Sequence, residues 1–352
     1  GASPGDPHLR TYDGRAYDCQ RRGEFLLTAA PDSESSVVQA RFQQYSPNPN
    51  PSVTITTAIA ARERDSSTVQ VAVIVQSDLE VLVDGLLYDE EAGPVATGVY
   101  LDVTPSLVTI RFPSGLDIFV SPLAGLLNVD TYVPLTLGTT GLLGNNNGEP
   151  GDEWRTPEGE TVQFASPRGP NDAEGTSYCT TYWCTTQDSS IFTYADGEEH
   201  GTYDLCDQPY QAPVMPEEIP QSVIELCGNN ADCTFDAILA GEQVGQATLE
   251  ADEAARVYQE EVGGLCTSNF YSSTGSPPCE ACPSGEVSGT GATTCTPQGC
   301  GWLCRSGIPY LVLIRADRAL QRRRWVAVPV WHVPPRRRWT SAVLDVCFHS
   351  RE

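Results

Sequence analysis

The chain has no lysine and a single methionine, and only 8% of its 352 residues are aromatic. All 21 of its basic residues are therefore arginines, set against 46 aspartates and glutamates for a net charge of -25. The imbalance is uneven. Residues 1–304 hold 43 acids and 11 arginines, whereas residues 305–352 hold 3 acids and 10 arginines. So acidic a body excludes nucleic acid as a partner, because phosphate binding needs the opposite sign. No apolar run reaches the roughly 18 residues that a membrane span requires, so no span is expected in this stretch. No signal-peptide pattern is present either; the chain opens at Gly1 like a piece of something longer, so this says little about secretion. Histidine is scarce, and His200, His332 and His349 lie in unrelated segments with no serine or cysteine motif beside them. A hydrolase is therefore the weakest function class, since nothing fixes a carboxylate pair in space.

Cysteine is missing between Cys19 and Cys179, yet eleven more of the 13 follow from Cys184 to Cys347. Dense cysteine among Gly, Pro, Ser and Thr indicates an oxidising, extracellular setting. Zinc is the rival for Cys279-Glu-Ala-Cys282, but no second matched pair or spaced histidine accompanies it, and disulfides are preferred.

Residues 5–160 read as β-structure. Thr68–Val75, Leu79–Val83, Leu86–Tyr88, Val99–Val103, Leu107–Phe112 and Leu116–Val120 are short, rich in β-branched residues and separated by Pro and Gly turns. Asp84-Gly85 is a two-residue hairpin signal. The expected fold is mainly β, an antiparallel sandwich-like sheet system, because no helical pattern separates the strands. Residues 161–220 read as loop, where Cys179 and Cys184 are expected to close a small ring. Two short helices stapled by Cys227 and Cys233 follow, and Gly245–Glu261 is rich in strong helix formers. Residues 266–300, with Cys266, Cys279, Cys282 and Cys295, form a small unit that disulfides must hold. The last stretch reads as a basic tail, disordered or artefactual, with no function assigned.

One loop draws attention. Gly141-Leu-Leu-Gly-Asn-Asn-Asn-Gly-Glu-Pro-Gly-Asp-Glu153 gathers oxygen-bearing side chains between glycines, and oxygen ligands on a bent loop suit calcium. The competing reading is a polar turn that binds nothing.

Gly5-Asp-Pro-His-Leu-Arg-Thr-Tyr-Asp-Gly14 and the Gly141–Glu153 loop resemble the opening and closing motifs of von Willebrand factor type D domains, over roughly residues 5–200. Thr140-Gly-Leu-Leu143 stands where most such domains carry Cys-Gly-Leu-Cys. That departure, with Ser190–Tyr194 and Cys227–Asp236, resembles the branch found in transmembrane mucins and sushi-domain-containing surface proteins, and argues against disulfide-linked polymers. Cys279-Glu-Ala-Cys-Pro-Ser-Gly285 and Gly289–Cys295 resemble the EGF-like repeat of ephrin-type receptors. Four regions are therefore expected: 5–200 a type D domain and 266–300 the repeat from the resemblance, and 201–265 a helical extension and 301–352 the tail from composition. It also implies a calcium ion held by Asp13, Asn145, Asn147, Asp152 and Glu153. The longer Glu153 departs from the usual Asp-Asp pair and is expected at or beyond the edge of the ligand shell. The Gly-Asp-Pro-His tetrapeptide further implies self-cleavage between Asp6 and Pro7, with His8 as proton donor. The expected function is an extracellular structural or adhesion module whose partners are extracellular proteins or glycans, not an enzyme beyond any self-cleavage.

Overall fold

The computed structural model describes residues 1–3, 7–30, 36–45, 53–74, 78–89, 96–123, 125–134, 137–164, 173–207, 215–262, 270–271, 280–283, 286–288 and 292–297. The fold is mainly β with antiparallel sheets and a shorter helical part. Its strands begin with β1 (Ala2–Ser3), β2 (His8–Arg10), β3 (Ala16–Asp18), β4 (Gly23–Ala29), β5 (Ser36–Gln44) and β6 (Thr54–Glu63). They continue with β7 (Val69–Val73), β8 (Leu79–Val83), β9 (Leu86–Leu87), β10 (Tyr100–Thr104), β11 (Leu107–Arg111), β12 (Asp117–Leu123) and β13 (Leu126–Tyr132).

β4 to β9 run in sequence order as a six-stranded meander. The other sheet has seven strands in the order β10-β11-β12-β13-β1-β2-β3, so the first three strands of the chain join its last. Asp84 and Gly85 both adopt positive φ, 50° and 79°, between Val83 and its partner Leu86, as a primed two-residue turn requires. Side chains from both sheets meet in one core: Leu9, Tyr17, Ile110, Ile118 and Val129 from one, and Phe25, Leu27, Phe42, Ile59 and Val71 from the other. Removing each such side chain from water contributes about 1.5–3 kcal/mol.

The outer face of the six-stranded sheet buries polar residues beside an apolar cluster of Ala58, Ala60 and Phe192. Glu24 and Arg41 face each other across β4 and β5, and Arg41 Nε donates to Glu24 at 2.9 Å. Ser190 and Tyr194 donate to the other Glu24 oxygen at 2.8 and 2.7 Å, and the Arg41 guanidinium lies 3.6 Å from the Tyr203 ring centre. Gln39 donates to Ser189 O at 2.7 Å and accepts from Ile191 N at 2.9 Å. The segment from 184 to 204 thus straps across this face through these polar contacts and through Phe192 and Ile191 on Ala58 and Ala60.

Five helices follow: α1 (Ala173–Tyr182), α2 (His200–Tyr203), α3 (Gln221–Cys227), α4 (Ala231–Leu239) and α5 (Glu242–Val262). Helix α1 corrects the expectation of loop over 161–220. Its sequence is a poor helix former, but Tyr178 and Cys179 are buried in the main core, and tertiary packing overrides propensity. The expected Cys179–Cys184 ring is also wrong: Cys179 bonds to Cys19 across 160 residues, and Cys184 bonds to Cys206. Cys227–Cys233 joins α3 to α4. Asn230 caps α4 by accepting from Cys233 N at 2.8 Å, and α5 crosses α4 at Gly245. Val244 of α5 packs with Ile55 and Leu126, which seats the helices on the sheets.

Cys282 bonds to Cys295, while Cys266, Cys279 and the tail 301–352 lie outside the described residues. β14 (Phe270–Tyr271) pairs with β15 (Glu280–Ala281). A second unit comprises Pro283–Val287 and Thr296–Glu352, and its described part is β16 (Glu286–Val287) paired with β17 (Thr296–Pro297). No described helix is long and apolar enough to cross a membrane.

Candidate metal centre

The centre forms where the β2–β3 turn meets the loop after β13. Thr11 N and Arg15 O close that turn at 2.8 Å, and Gly14 supplies its positive φ of 87°. The turn thereby presents Asp13. The facing loop is anchored by two buried leucines. Leu142 N and Leu143 N donate to Leu26 O and Leu27 O of β4, Tyr12 N donates to Leu143 O at 2.9 Å, and Tyr17 OH donates to Leu142 O at 2.7 Å. Thr140 pairs with Ala29 through its backbone, and Leu143 is buried in the main core.

From this anchor the loop bends back. Gly144 has a φ of 83°, and a Cβ there would lie 2.0 Å from Glu153 Oε2. The glycine is thus both a conformational need and a cradle for the Glu153 carboxyl. Asn146 follows at a φ of 48° and donates to Pro134 O at 3.2 Å. Asp13 Oδ2 accepts from the backbone N–H groups of Asn147 at 3.1 Å and Gly148 at 2.9 Å. The Asn147 amide donates to Asp152 at 3.2 Å, while its oxygen accepts from Glu149 N at 2.8 Å. Asp152 also pairs with Arg155. Partial burial works upward on the Asp152 carboxyl, but hydrogen bonds from Arg155, Asn145 and Asn147 outweigh it and hold the group below the usual carboxylate range.

The structure therefore draws Asp13, Asn145, Asn147, Asp152 and Glu153 into one connected group, in two layers. Asp13, Asn147 and Asp152 satisfy one another near the surface. Beneath them Glu153 is 1% exposed, and neither of its carboxylate oxygens meets a donor in hydrogen-bond geometry, although Thr11 and Asp13 lie beside it. Asn145 Oδ1 is buried and unpartnered as well. Burial, then the neighbouring Asp13, pushes the Glu153 carboxyl up to about 7. Three buried oxygens without a hydrogen-bond partner, on a carboxylate and an amide, have the chemistry that suits a hard cation. Glu153, expected at the edge of the site, is its most buried member.

An aromatic group supports the centre from below. The Trp154 and Phe164 rings stack at 4.0 Å, and the Tyr17 and Tyr178 rings meet Phe164 edge-on. Tyr178 OH donates to Arg155 O at 2.8 Å and accepts from Arg155 N at 3.1 Å, so α1 fixes the residue that pairs with Asp152. These supporting residues had no local sequence signal.

The sequence-predicted cleavage residues lie at the other end of β2. Asp6 is outside the described residues; Pro7 is buried, and its carbonyl accepts from Cys19 N at 3.0 Å. His8 is also buried, with Nδ1 2.8 Å from Asp18 Oδ1 and Nε2 3.2 Å from Asp236 Oδ1 of α4.

Both loop motifs and the sheets between them thus fall within one stretch, and a family comparison matches that stretch. Residues 2–160 match the family model of the von Willebrand factor type D domain. Sushi domain-containing protein 2 of Homo sapiens is 28% identical over 266 residues, covering 71% of this chain and 32% of that protein. Mucin-4 of Homo sapiens is 34% identical over 176 residues, 46% of this chain and 3% of that protein. Mucin-4 of Rattus norvegicus is 28% identical over 266 residues, 69% of this chain and 11% of that protein. The chain spans a third or less of the length of these relatives. The two longer matches extend past residue 160, so the likeness is not confined to the type D segment. Within that segment lie all five residues of the candidate metal centre.

Proposed function

We propose that this chain is an extracellular structural or adhesion module: a type D domain whose closing loop is rigidified by calcium, followed by a helical extension and an EGF-like repeat over 266–300. The observation that carries the cation is the buried, donorless set of oxygens on Asn145 and Glu153 beneath Asp13 and Asp152. Asp13, Asn145, Asn147, Asp152 and Glu153 would hold the ion, which supplies positive charge for oxygens that the protein leaves unpaired. The four disulfides support an oxidising compartment. The relatives named as a mucin and a sushi-domain protein support a surface setting, with extracellular proteins or glycans as partners. Isothermal titration of the chain with calcium is expected to give saturable heat and a raised melting temperature, both abolished by Glu153→Ala. Absence of heat in the unmodified chain would remove the cation from this reading.

A second reading, self-cleavage at Asp6–Pro7, is supported by His8, which follows Pro7 directly and is held by two carboxylates. The Asp6 carboxylate attacks its own carbonyl carbon and closes a cyclic anhydride; the C–N bond breaks, and the proline nitrogen leaves with a proton from His8. Water then opens the anhydride. Mass spectrometry after incubation at mildly acidic pH is expected to show two fragments meeting at Asp6–Pro7. An intact chain at every pH would end this reading.

A further inference from the structure

His8 joins two parts of the fold that are remote in sequence. Its ring lies between β3, which supplies Asp18, and α4, which supplies Asp236, Asp232 and Phe235. Nδ1 is 2.8 Å from Asp18 Oδ1 and 3.8 Å from Asp232 Oδ1, and Nε2 is 3.2 Å from Asp236 Oδ1. The Phe235 ring meets the imidazole edge-on at 5.9 Å. Behind Asp236, the single Thr248 O–H of α5 donates to Asp236 Oδ2, with Val244 O 3.1 Å from the same hydroxyl, which binds α5 into the same network. The side chains of His8, Asp18 and Asp236 are 2%, 3% and 0% exposed, so water does not screen these contacts.

A neutral imidazole carries one N–H. With both carboxylates ionised, a proton on Nε2 that points at Asp236 leaves Nδ1 facing the Asp18 oxygen with a lone pair against a lone pair at 2.8 Å. If it sits on Nδ1, the same conflict falls on Asp236. Only a ring protonated at both nitrogens donates to both carboxylates.

We propose that His8 is a doubly protonated clasp that pins the α4–α5 hairpin onto β2 and β3, and that loss of its proton frees the hairpin. The docking has two parts. Val244 with Ile55 and Leu126 forms an apolar seat that does not respond to pH, whereas the His8 network responds to one proton. A histidine that holds its proton more tightly folded than unfolded stabilises fully below its ordinary value of about 6.5, and that contribution disappears as the pH rises through the folded midpoint. The joint is therefore closed in acid and neutral conditions and opens toward alkaline pH. Because His8 follows Pro7, opening also loosens the backbone at that buried proline. The proposal stands whether or not calcium binds or the chain cleaves.

NMR of the histidine rings in the whole chain tests it, with the His8 signal assigned by its loss in His8→Gln. The ring is expected to remain doubly protonated at pH 7.4, where an ordinary histidine is only about one-tenth protonated. Asp236→Asn is expected to lower the midpoint. Amide exchange corrected for intrinsic rates is expected to quicken about tenfold or more in α4 and α5 in His8→Gln, with β5 and β6 unchanged. Val244→Asp provides the reference for an undocked hairpin at all pH values. A neutral His8 ring at pH 7.4 would overturn the proposal, as would unchanged exchange in both His8→Gln and Asp236→Asn. Binding of zinc that displaces the ring proton and raises the melting temperature would overturn it too, since His8, Asp18 and Asp232 present ligand atoms within 4.8 Å of one another.

Discussion

At the scale of residues, the most informative group is Glu153. A glutamate normally titrates near 4.5, but burial and Asp13 raise this one to about 7. The sign follows from linkage. A carboxyl whose folded value exceeds its unfolded value binds more protons folded than unfolded, so the cation-free protein loses stability as the pH climbs from about 4.5 to about 7. A cation entering the centre must expel that proton, which makes its affinity climb over the same interval, by up to about tenfold per pH unit for one proton. Calcium titrations at pH 5.5, 6.5 and 7.5 are expected to show this rise. In Glu153→Gln the affinity is expected to be lower and flat with pH, and the cation-free protein at pH 7.5 to melt at a higher temperature than the unmodified one. A pH slope that survives the substitution would assign the proton elsewhere.

At the scale of elements, the α4–α5 crossing sets two opposed effects against each other. Gly245 lies inside a helix, where alanine is favoured by about 1 kcal/mol. A Cβ at that position, however, would lie 2.7 Å from Ala237 Cβ and 2.8 Å from Cys233 O, neither of which is a flexible chain end. Overpacking of this kind costs about 1–3 kcal/mol, so the clash wins. Gly245→Ala is expected to lower the midpoint of urea unfolding, and Gly245→Val to lower it further. Strands β7, β8, β10, β11 and β12 were readable because β-branched residues cluster between turn residues, and Asp84-Gly85 announced its own hairpin. Of the two longest strands, β6 carries Thr54, Ile55, Thr56, Thr57 and Ile59, whereas β5 is marked less by β-branched residues than by polar ones. β5 carries Gln39 and Arg41, which look solvent-facing until the strap at 189–194 and Glu24 supply their partners. α1 was hidden for a similar reason: its stability comes from Cys19, Tyr17 and Phe164, which lie far away or in another element. At the metal centre the oxygen-rich loop was legible, but its layering was not, because the depth of Glu153 depends on the fold around it.

At the scale of the whole molecule, Cys19–Cys179 closes the chain upon itself, joining the segment after β3 to α1 across 160 residues. A cross-link of this span contributes through the unfolded state, which it keeps compact, and loss of a native disulfide costs about 2–5 kcal/mol. Replacing both cysteines by serine, so that no free thiol remains, is expected to lower the unfolding free energy by about 2–5 kcal/mol, and with it the urea midpoint, and to steepen the transition, because the released chain exposes more surface. The consequence reaches the cation. α1 carries Tyr178, whose hydroxyl holds both backbone groups of Arg155, and Arg155 in turn pairs with Asp152. Releasing α1 should therefore weaken calcium binding as well as stability. Cys227–Cys233 offers the control, since it joins α3 to α4 and touches none of the five centre residues. Its double serine variant is expected to destabilise the helical extension while leaving calcium affinity unchanged. Equal losses of affinity in the two variants would mean that the centre responds to global stability rather than to the anchoring of α1.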